Sequence, residues 1–355
     1  MNIGFDAKRA FLNATGLGVY SRNLILNFVK LYPQNQYFLF SPKITSGFAE
    51  KSDNLNIITP DFKNRLFWRT AGIAADIRLN NIDIYHGLSN EIPLVLNPKT
   101  KYITTIHDTI WLKYPNQYSP IDRKIYSLKF AHACKKSKFI VATSEMTARD
   151  IEYYGKIKSS KIKIIYQSGN PILKANEQAI ISDQYLLYIS SFETRKNHLY
   201  LIHEFSKISK NNSFKLILAG KPGNTLQEVK DTIKRLNLEN KIILLESVTE
   251  QEKATLLKHC LAFIYPSLYE GFGIPLLEAM QQGCKLILNE LPVFKEIARN
   301  KALYFDATKP GNLESLFTKQ FLLLKDNQID YKLELDIFSA KNTSEELNKI
   351  YLESF

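Results

Sequence analysis

Ala262-Phe263-Ile264-Tyr265-Pro266-Ser267-Leu268-Tyr269-Glu270-Gly271-Phe272-Gly273-Ile274-Pro275-Leu276-Leu277-Glu278 is an apolar run, a glycine-bearing turn and the start of a helix. Ala262 to Tyr265 is near-continuously apolar, the pattern of a strand buried on both faces of a parallel sheet. Gly271 and Gly273 let backbone approach a ligand closely. Pro275 suits the first turn of a helix, where its missing N–H has no intrahelical partner to lose. The helix then runs through Glu278 and Met280 and stops at Gly283. A helix N-terminus, with unpaired N–H groups and partial positive charge, therefore lies beside a glycine loop, a place that holds phosphate. Gly271, Phe272, Gly273 and Ile274 form this candidate phosphate site. Glu270 and Glu278 bracket it, where carboxylates accept hydrogen bonds from sugar hydroxyls. Each residue alone also fits a plain Gly-Phe-Gly turn leading into a helix with one solvated Glu.

The same alternation of apolar runs and amphipathic stretches extends along the whole chain. The first half has strand-like runs at Asn2–Phe5, Tyr37–Phe40, Leu55–Thr59, Ile82–His86, Lys101–Ile106, Phe139–Thr143 and Ile162–Tyr166. The second has Tyr185–Ser190, Lys215–Ala219, Lys241–Leu245, Ala262–Tyr265, Lys285–Leu288 and Ala302–Phe305. Between them, positions such as Leu199, Ile202, Phe205 and Ile208 recur at helical spacing. Two successive βαβ series predict an α/β chain of two doubly wound, Rossmann-like domains. Gly169-Asn170-Pro171 and the polar tract after it make Ser168 to Gln184 the expected linker. The expected domains are residues 1–172 and 180–338. Residues 340–355 form a C-terminal helix expected to pack back on the first, with Leu347, Ile350 and Tyr351 on one face.

The chain has 355 residues, 45% hydrophobic and 23% charged, which excludes disorder as its main state. No apolar run approaches the ~18–20 residues of a membrane span. The start, Met1-Asn2-Ile3-Gly4-Phe5-Asp6, lacks the basic and apolar regions of a signal peptide. Cys134, Cys260 and Cys284 are three widely spaced cysteines, neither a disulfide framework nor a zinc site, and fit a reducing cytoplasm. The formal net charge is +12. Residues 1–172 carry 24 basic and 12 acidic residues, and the remainder 23 of each. The excess confined to one half points to an anionic partner there, or to a Lys-rich solvated surface.

Arg195 and Lys196 follow the run Tyr185–Ser190 and precede a helix, at the strand end where open α/β sheets bind ligands. Adjacent cations there suit a diphosphate, Arg in a bidentate fork and Lys as a point charge. An exposed basic turn would look the same. His107 and Asp108 end the run Lys101–Ile106, where a histidine either faces a cleft or is satisfied by local backbone. Asp108 either orients His107 or caps the next segment.

Glu270 to Glu278 resembles the E-x7-E motif of family 4 retaining glycosyltransferases, which have the two-domain GT-B fold with a central cleft. The opening strand with Asp6, the loop Thr15-Gly16-Leu17-Gly18-Val19-Tyr20 and Thr105-Ile106-His107-Asp108 are similar to the family's pattern. So are Ala142-Thr143-Ser144 to Asp150, Glu193-Thr194-Arg195-Lys196-Asn197, Thr249–Leu257 and Pro292–Ile297. The resemblance covers nearly the whole chain. It implies a hexosyl transfer, mannosyl in pattern, from a nucleotide-sugar to a glycan or lipid-linked acceptor, as in bacterial surface polysaccharide synthesis. The first domain would bind the acceptor and the second the donor. The implied catalytic residues are His107, Arg195, Lys196 and Glu270. Gly16, Gly18, Arg195, Lys196, Glu270, Gly271, Phe272, Gly273, Ile274 and Glu278 would bind the donor. No metal and no other cofactor is implied, and no Asp-x-Asp triplet stands at a strand end. Val19 departs from the pattern, where an Arg is frequent.

The basic excess then acquires a candidate partner. Arg123 to Lys163 carries eleven Lys or Arg residues. Lys63, Arg65, Arg69 and Arg78 lie among Phe62, Leu66, Phe67 and Trp68. This describes a helix for an anionic membrane surface, or a Trp68 face packed in the core. The expected location is cytoplasmic, peripheral on the inner face of the cell membrane. Nucleic acid is not an expected partner, because no recognition motif accompanies the charge. The rival functions are a nucleotide-sugar epimerase on the same fold and a non-catalytic sugar-nucleotide or anion-binding protein.

Overall fold

The computed structural model describes residues 1–13, 16–45, 48, 53–60, 68–170, 174–320 and 329–355. The chain forms two compact units, Met1–Asn170 with Ile337–Phe355, and Pro171–Asp336. Among the described residues each is built on one parallel sheet. The first contains β1 (Asn2–Asp6), β2 (Gln36–Phe40), β3 (Leu55–Ile58), β4 (Ile84–Gly87), β5 (Lys101–Ile106), β6 (Phe139–Ala142) and β7 (Ile162–Ile164), in the order β3-β2-β1-β4-β5-β6-β7. The second contains β8 (Tyr185–Ile189), β9 (Lys215–Ala219), β10 (Ile242–Leu245), β11 (Ala262–Tyr265), β12 (Leu286–Asn289) and β13 (Leu303–Phe305), in the order β10-β9-β8-β11-β12-β13.

The order in which the sequence adds strands reverses between β1 and β4 and between β8 and β11, all strands staying parallel. These are the switch points at which open α/β sheets bind ligands. The apolar runs read as strands are strands, with ends shifted by one or two residues. Burial follows position in the sheet. Every residue of β4, β8, β11 and β12 is buried, whereas the edge strands β3, β7, β10 and β13 are only partly so.

The last helix, Ala340–Leu352, is capped by Ser339, whose hydroxyl accepts the Asn342 N–H at 3.2 Å. Its apolar face packs into the first unit's core, where Leu347, Ile350 and Tyr351 join Phe5, Tyr20, Leu24 and Phe28. The Tyr351 hydroxyl meets His86 Nδ1 at 2.6 Å.

The structure corrects one domain boundary and decides between two readings of the Trp68 stretch. Part of the expected linker is anchored in the second unit. Ala175 is buried, the Asn176 N–H donates to the Thr255 hydroxyl at 3.1 Å, and the Gln251 amide donates to the Lys174 carbonyl at 2.6 Å. That unit therefore begins before residue 180. In the basic, aromatic stretch, Phe62, Lys63, Arg65, Leu66 and Phe67 lie outside the described residues. Trp68 is only 4% exposed and its indole N–H donates to Asp76 at 2.5 Å. Arg69 is paired with Asp6 and Glu91. A buried indole keeps its N–H partner and a buried guanidinium its carboxylates, so Trp68 and Arg69 serve the protein interior rather than a membrane. No helix among the described residues is long and apolar enough to cross a membrane.

Candidate active site

The second unit holds its ligand-facing loops at the ends of β8 and β11. After β8 the chain makes a tight turn, Thr194–Lys196, and enters the helix His198–Ile208 through Asn197 in the left-handed region (φ 60°). The Asn197 amide donates to the carbonyls of Pro266 and Ala307 at 3.3 and 3.1 Å. The Tyr188 hydroxyl donates to the Lys196 carbonyl at 2.8 Å, and the Leu268 N–H to the Arg195 carbonyl at 2.8 Å. The two loops are thus tied through backbone atoms, which fixes where the cations can reach.

Lys196 Nζ pairs with Glu270 Oε1, and the Ser267 hydroxyl donates to the same oxygen at 2.7 Å. Arg195 lies 3.6 Å from that oxygen and 3.0 Å from Glu193. Burial pushes the Glu270 carboxyl up, but the charges of Lys196 and Arg195 and the hydrogen bonds outweigh it, leaving its pKa below the ordinary value. Burial pulls Lys196 down, Glu270 opposes this and Arg195 reinforces it, so its pKa lies below the usual lysine value.

The helix Ile274–Gln281 starts after Gly273, whose φ of 117° is a conformation that suits glycine. Gly273 has no side chain with which to cap this helix, and a helix start is a place whose N–H groups attract an anion. Glu278 is one turn in and buried, and its carboxylate accepts from Lys253 at 2.7 Å. Lys253 also pairs with Glu250 at 2.7 Å. Burial lowers the Lys253 pKa, yet the two carboxylates raise it overall.

The structure therefore brings Arg195, Lys196 and Glu270 together and sets Glu278 on its own lysine. His107, Gly16 and Gly18 belong to the first unit. A Cβ on Gly18 would stand 1.8 Å from the Asn13 carbonyl oxygen, so Gly18 answers to backbone packing. A Cβ on Gly16 would meet nothing within 4 Å among the described residues. Thr15 lies outside the described residues. His107 follows β5 and is 5% exposed; burial lowers its pKa to about 4, so it is neutral at physiological pH. Asp108 accepts the N–H of Ile110, the first residue of the next short helix, at 3.2 Å.

Two family models together match most of the chain: "Glycosyltransferase Family 4" over residues 15–168 and "Glycosyl transferases group 1" over residues 172–332. The chain belongs to these glycosyltransferases. It is 28% identical over 232 residues to the O-antigen chain mannosyltransferase RfbU of Salmonella typhimurium, covering 64% of this chain and 62% of RfbU. It is 27% identical over 259 residues to O-antigen chain mannosyltransferase B of Escherichia coli, covering 69% of this chain and 66% of that protein. Its matches thus span slightly under two thirds of these relatives. Its fold is similar to a glycosyltransferase from Rickettsia africae, with a TM-score of 0.71, 18% identity and 99% and 98% of the two chains covered. The Anabaena protein Alr3699/HepE, crystallised with UDP and glucose, gives a TM-score of 0.71 at 14% identity, with both chains covered completely.

Several residues that build this candidate site carry no mark of it in the sequence. Ser267 is second after the strand in the opening string, but nothing local marks its hydroxyl as Glu270's partner. Asn289, at the end of β12, donates to the Ser267 carbonyl at 2.8 Å and accepts from the Ala307 N–H at 2.9 Å. Lys253 follows the capping box of Thr249 and Glu252, a visible signal for a helix start but not for a partner 25 residues away.

Proposed function

We propose that this glycosyltransferase moves a hexosyl unit, mannosyl first, from a nucleotide-sugar to a hydroxyl of a glycan or lipid-linked acceptor, with retention of configuration. Bacterial surface polysaccharide synthesis is the setting. The observation that carries the reading is the buried Lys196–Glu270–Arg195 cluster at the β8 and β11 switch point. When the bond to a nucleoside diphosphate breaks, negative charge builds on the leaving group and positive charge on the anomeric carbon. Two held cations and the helix start after Gly273 stabilise that leaving group more in the transition state than before it, which is what accelerates a reaction. In this reading no divalent metal takes part. Glu270 meets the donor sugar and Glu278 the ribose. The mannosyl preference is supported by the names of RfbU and mannosyltransferase B.

Thermal-shift titration with GDP-, UDP- and ADP-sugars tests the donor, since a ligand of the native state raises its stability. GDP-mannose should give the largest rise. Glu278→Ala should weaken free GDP about 10- to 100-fold, the equivalent of one charge-assisted hydrogen bond. NMR of the product anomer tests retention. Sugar interconversion without an acceptor would identify an epimerase instead, and binding without turnover a non-catalytic protein.

The first unit's basic excess fits attachment to an anionic membrane. The helix Pro120–Lys136 exposes Ile121, Ile125 and Leu128 at 72%, 43% and 63% on one face, next to Lys124. Lys135 lines a neighbouring groove of about 580 Å³ with Phe130, Tyr154 and Ile157. Apolar residues flanked by lysines suit a headgroup–acyl boundary, with about 1 kcal/mol from each Lys or Arg near an anionic surface. Vesicle co-sedimentation should show binding to anionic lipid, none to neutral lipid, and loss at high salt. Charge reversal of Lys135, Lys136 and Lys138 should weaken it and leave donor binding intact. Equal binding to neutral vesicles would return these lysines to the role of a solvated surface.

A further inference from the structure

His107 has its polar atoms engaged within the first unit. Its N–H donates to Asn90 at 2.9 Å, and its carbonyl accepts from the hydroxyls of Thr143 and Thr147 at 3.0 and 3.3 Å. Ring atom Nε2 lies 2.8 Å from the Leu88 carbonyl oxygen, and Nδ1 lies 2.6 Å from the Gln167 side-chain amide. A carbonyl oxygen only accepts, so Nε2 carries a proton. Nδ1 is then either a lone pair accepting from the Gln167 amide, or a second N–H on a cationic ring.

The surroundings decide between them. The Tyr20 ring stands edge-on at 4.8 Å from the helix Gly16–Leu31, Arg9 adds positive charge from the helix Lys8–Leu12, and His86 lies on β4. Burial holds His86 near pKa 3, so it stays neutral. The neighbouring carboxylates Asp108 and Asp150 accept from the Ile110 N–H and the Thr109 hydroxyl. A buried cation facing Arg9 is disfavoured, and an amide N–H against a bare nitrogen satisfies both groups.

We infer that Gln167 is a positioning residue for sugar transfer, holding His107 as a neutral, Nε2-protonated ring with Nδ1 as an acceptor. Gln167 is itself buried and lies three residues before Asn170, where the chain leaves the first unit. One hydrogen bond therefore ties the departing segment to the end of β5. His107 then transfers no proton in the reaction; it contributes an oriented, uncharged ring. The inference rests on the placement of His107 in the transfer site, and its first test does not depend on activity.

Long-range ¹H–¹⁵N spectra of the full-length protein should show His107 neutral and Nε2-protonated from pH 5.5 to 8. Gln167→Glu has nearly the same shape but sets a carboxylate against Nδ1. It should raise the His107 pKa by about 1–3 and give an imidazolium signature. Transfer by that variant should then fall as pH drops through the new pKa and recover toward pH 8, with GDP affinity unchanged. Gln167→Met, which lacks the donor, should keep the ring neutral and lower kcat without a new acid limb. An imidazolium in the wild-type protein at pH 6.5 would overturn the tautomer assignment. A protonated His107 in Gln167→Glu with an unchanged pH–rate profile would overturn the positioning role. Absence of transfer by the wild-type protein with every donor would strike the glycosyltransferase reading alone, leaving the spectral result standing.

Discussion

Lys196→Ala is expected to slow sugar transfer by about 10²–10³, the loss seen when a preorganised donor to a developing anion is removed. The reason is position. Lys196 is fixed by its backbone bond to Tyr188 and by its pairing with Glu270, and it is buried, so water cannot substitute for it. Arg195→Lys should lose less, because a point charge remains while the fork is lost. Transfer should continue in EDTA, and a strict magnesium requirement would contradict the mechanism. Stability complicates the single variant, since it leaves Glu270 buried with Arg195 at 3.6 Å as its remaining cation. The double variant Lys196→Met/Glu270→Leu separates the effects. Replacing both members of a buried pair by apolar residues is often neutral, so its unfolding midpoint should approach wild type while activity stays lost. If the double variant regained transfer, Lys196 would act only on the fold.

Glu270→Ala is expected to destabilise the second unit by about 3–5 kcal/mol, because it leaves the buried Lys196 ammonium without its carboxylate, while Arg195 keeps Glu193. For a unit of this size that is a fall in melting temperature of roughly 10 °C. Turnover should drop as well, while free GDP binds no more weakly, since the competing carboxylate has gone. The pH dependence follows from the direction of the shift. Glu270 has a folded pKa below its unfolded one, so the stability it contributes is fully present above the unfolded value, about 4.3. That contribution is lost as pH falls through the folded pKa. Burial and Arg195 work against the charge on Lys196, so the ion pair adds less than the carboxylate's side alone implies. Wild type should therefore melt progressively lower below about pH 4. Acid should affect Glu270→Gln, which has no proton to gain there, less steeply. Equal acid slopes in calorimetry would show that Glu270 is not the group being titrated.

Much of this molecule follows from residues that are close in sequence. Four-residue runs such as Ala262–Tyr265 are apolar on both faces, and that requirement comes from burial in a parallel sheet whatever the rest of the chain does. The start of the helix at Ile274–Pro275 and the buried face of Leu347, Ile350 and Tyr351 are equally local, because helical period and proline geometry act over one or two turns. The tertiary structure alone decided which charges meet. Lys196 finds Glu270 across 74 residues, Lys253 finds Glu278 across 25, and Gln167 finds His107 across 60. It also decided that Trp68 turns inward to Asp76 and that Gly18 packs on the Asn13 carbonyl. The physical reason is that apolar burial is non-directional and leaves a periodic imprint on the sequence. A hydrogen bond or ion pair in a dry site is directional and short-ranged, and it exists only where the strand order brings two distant loops together.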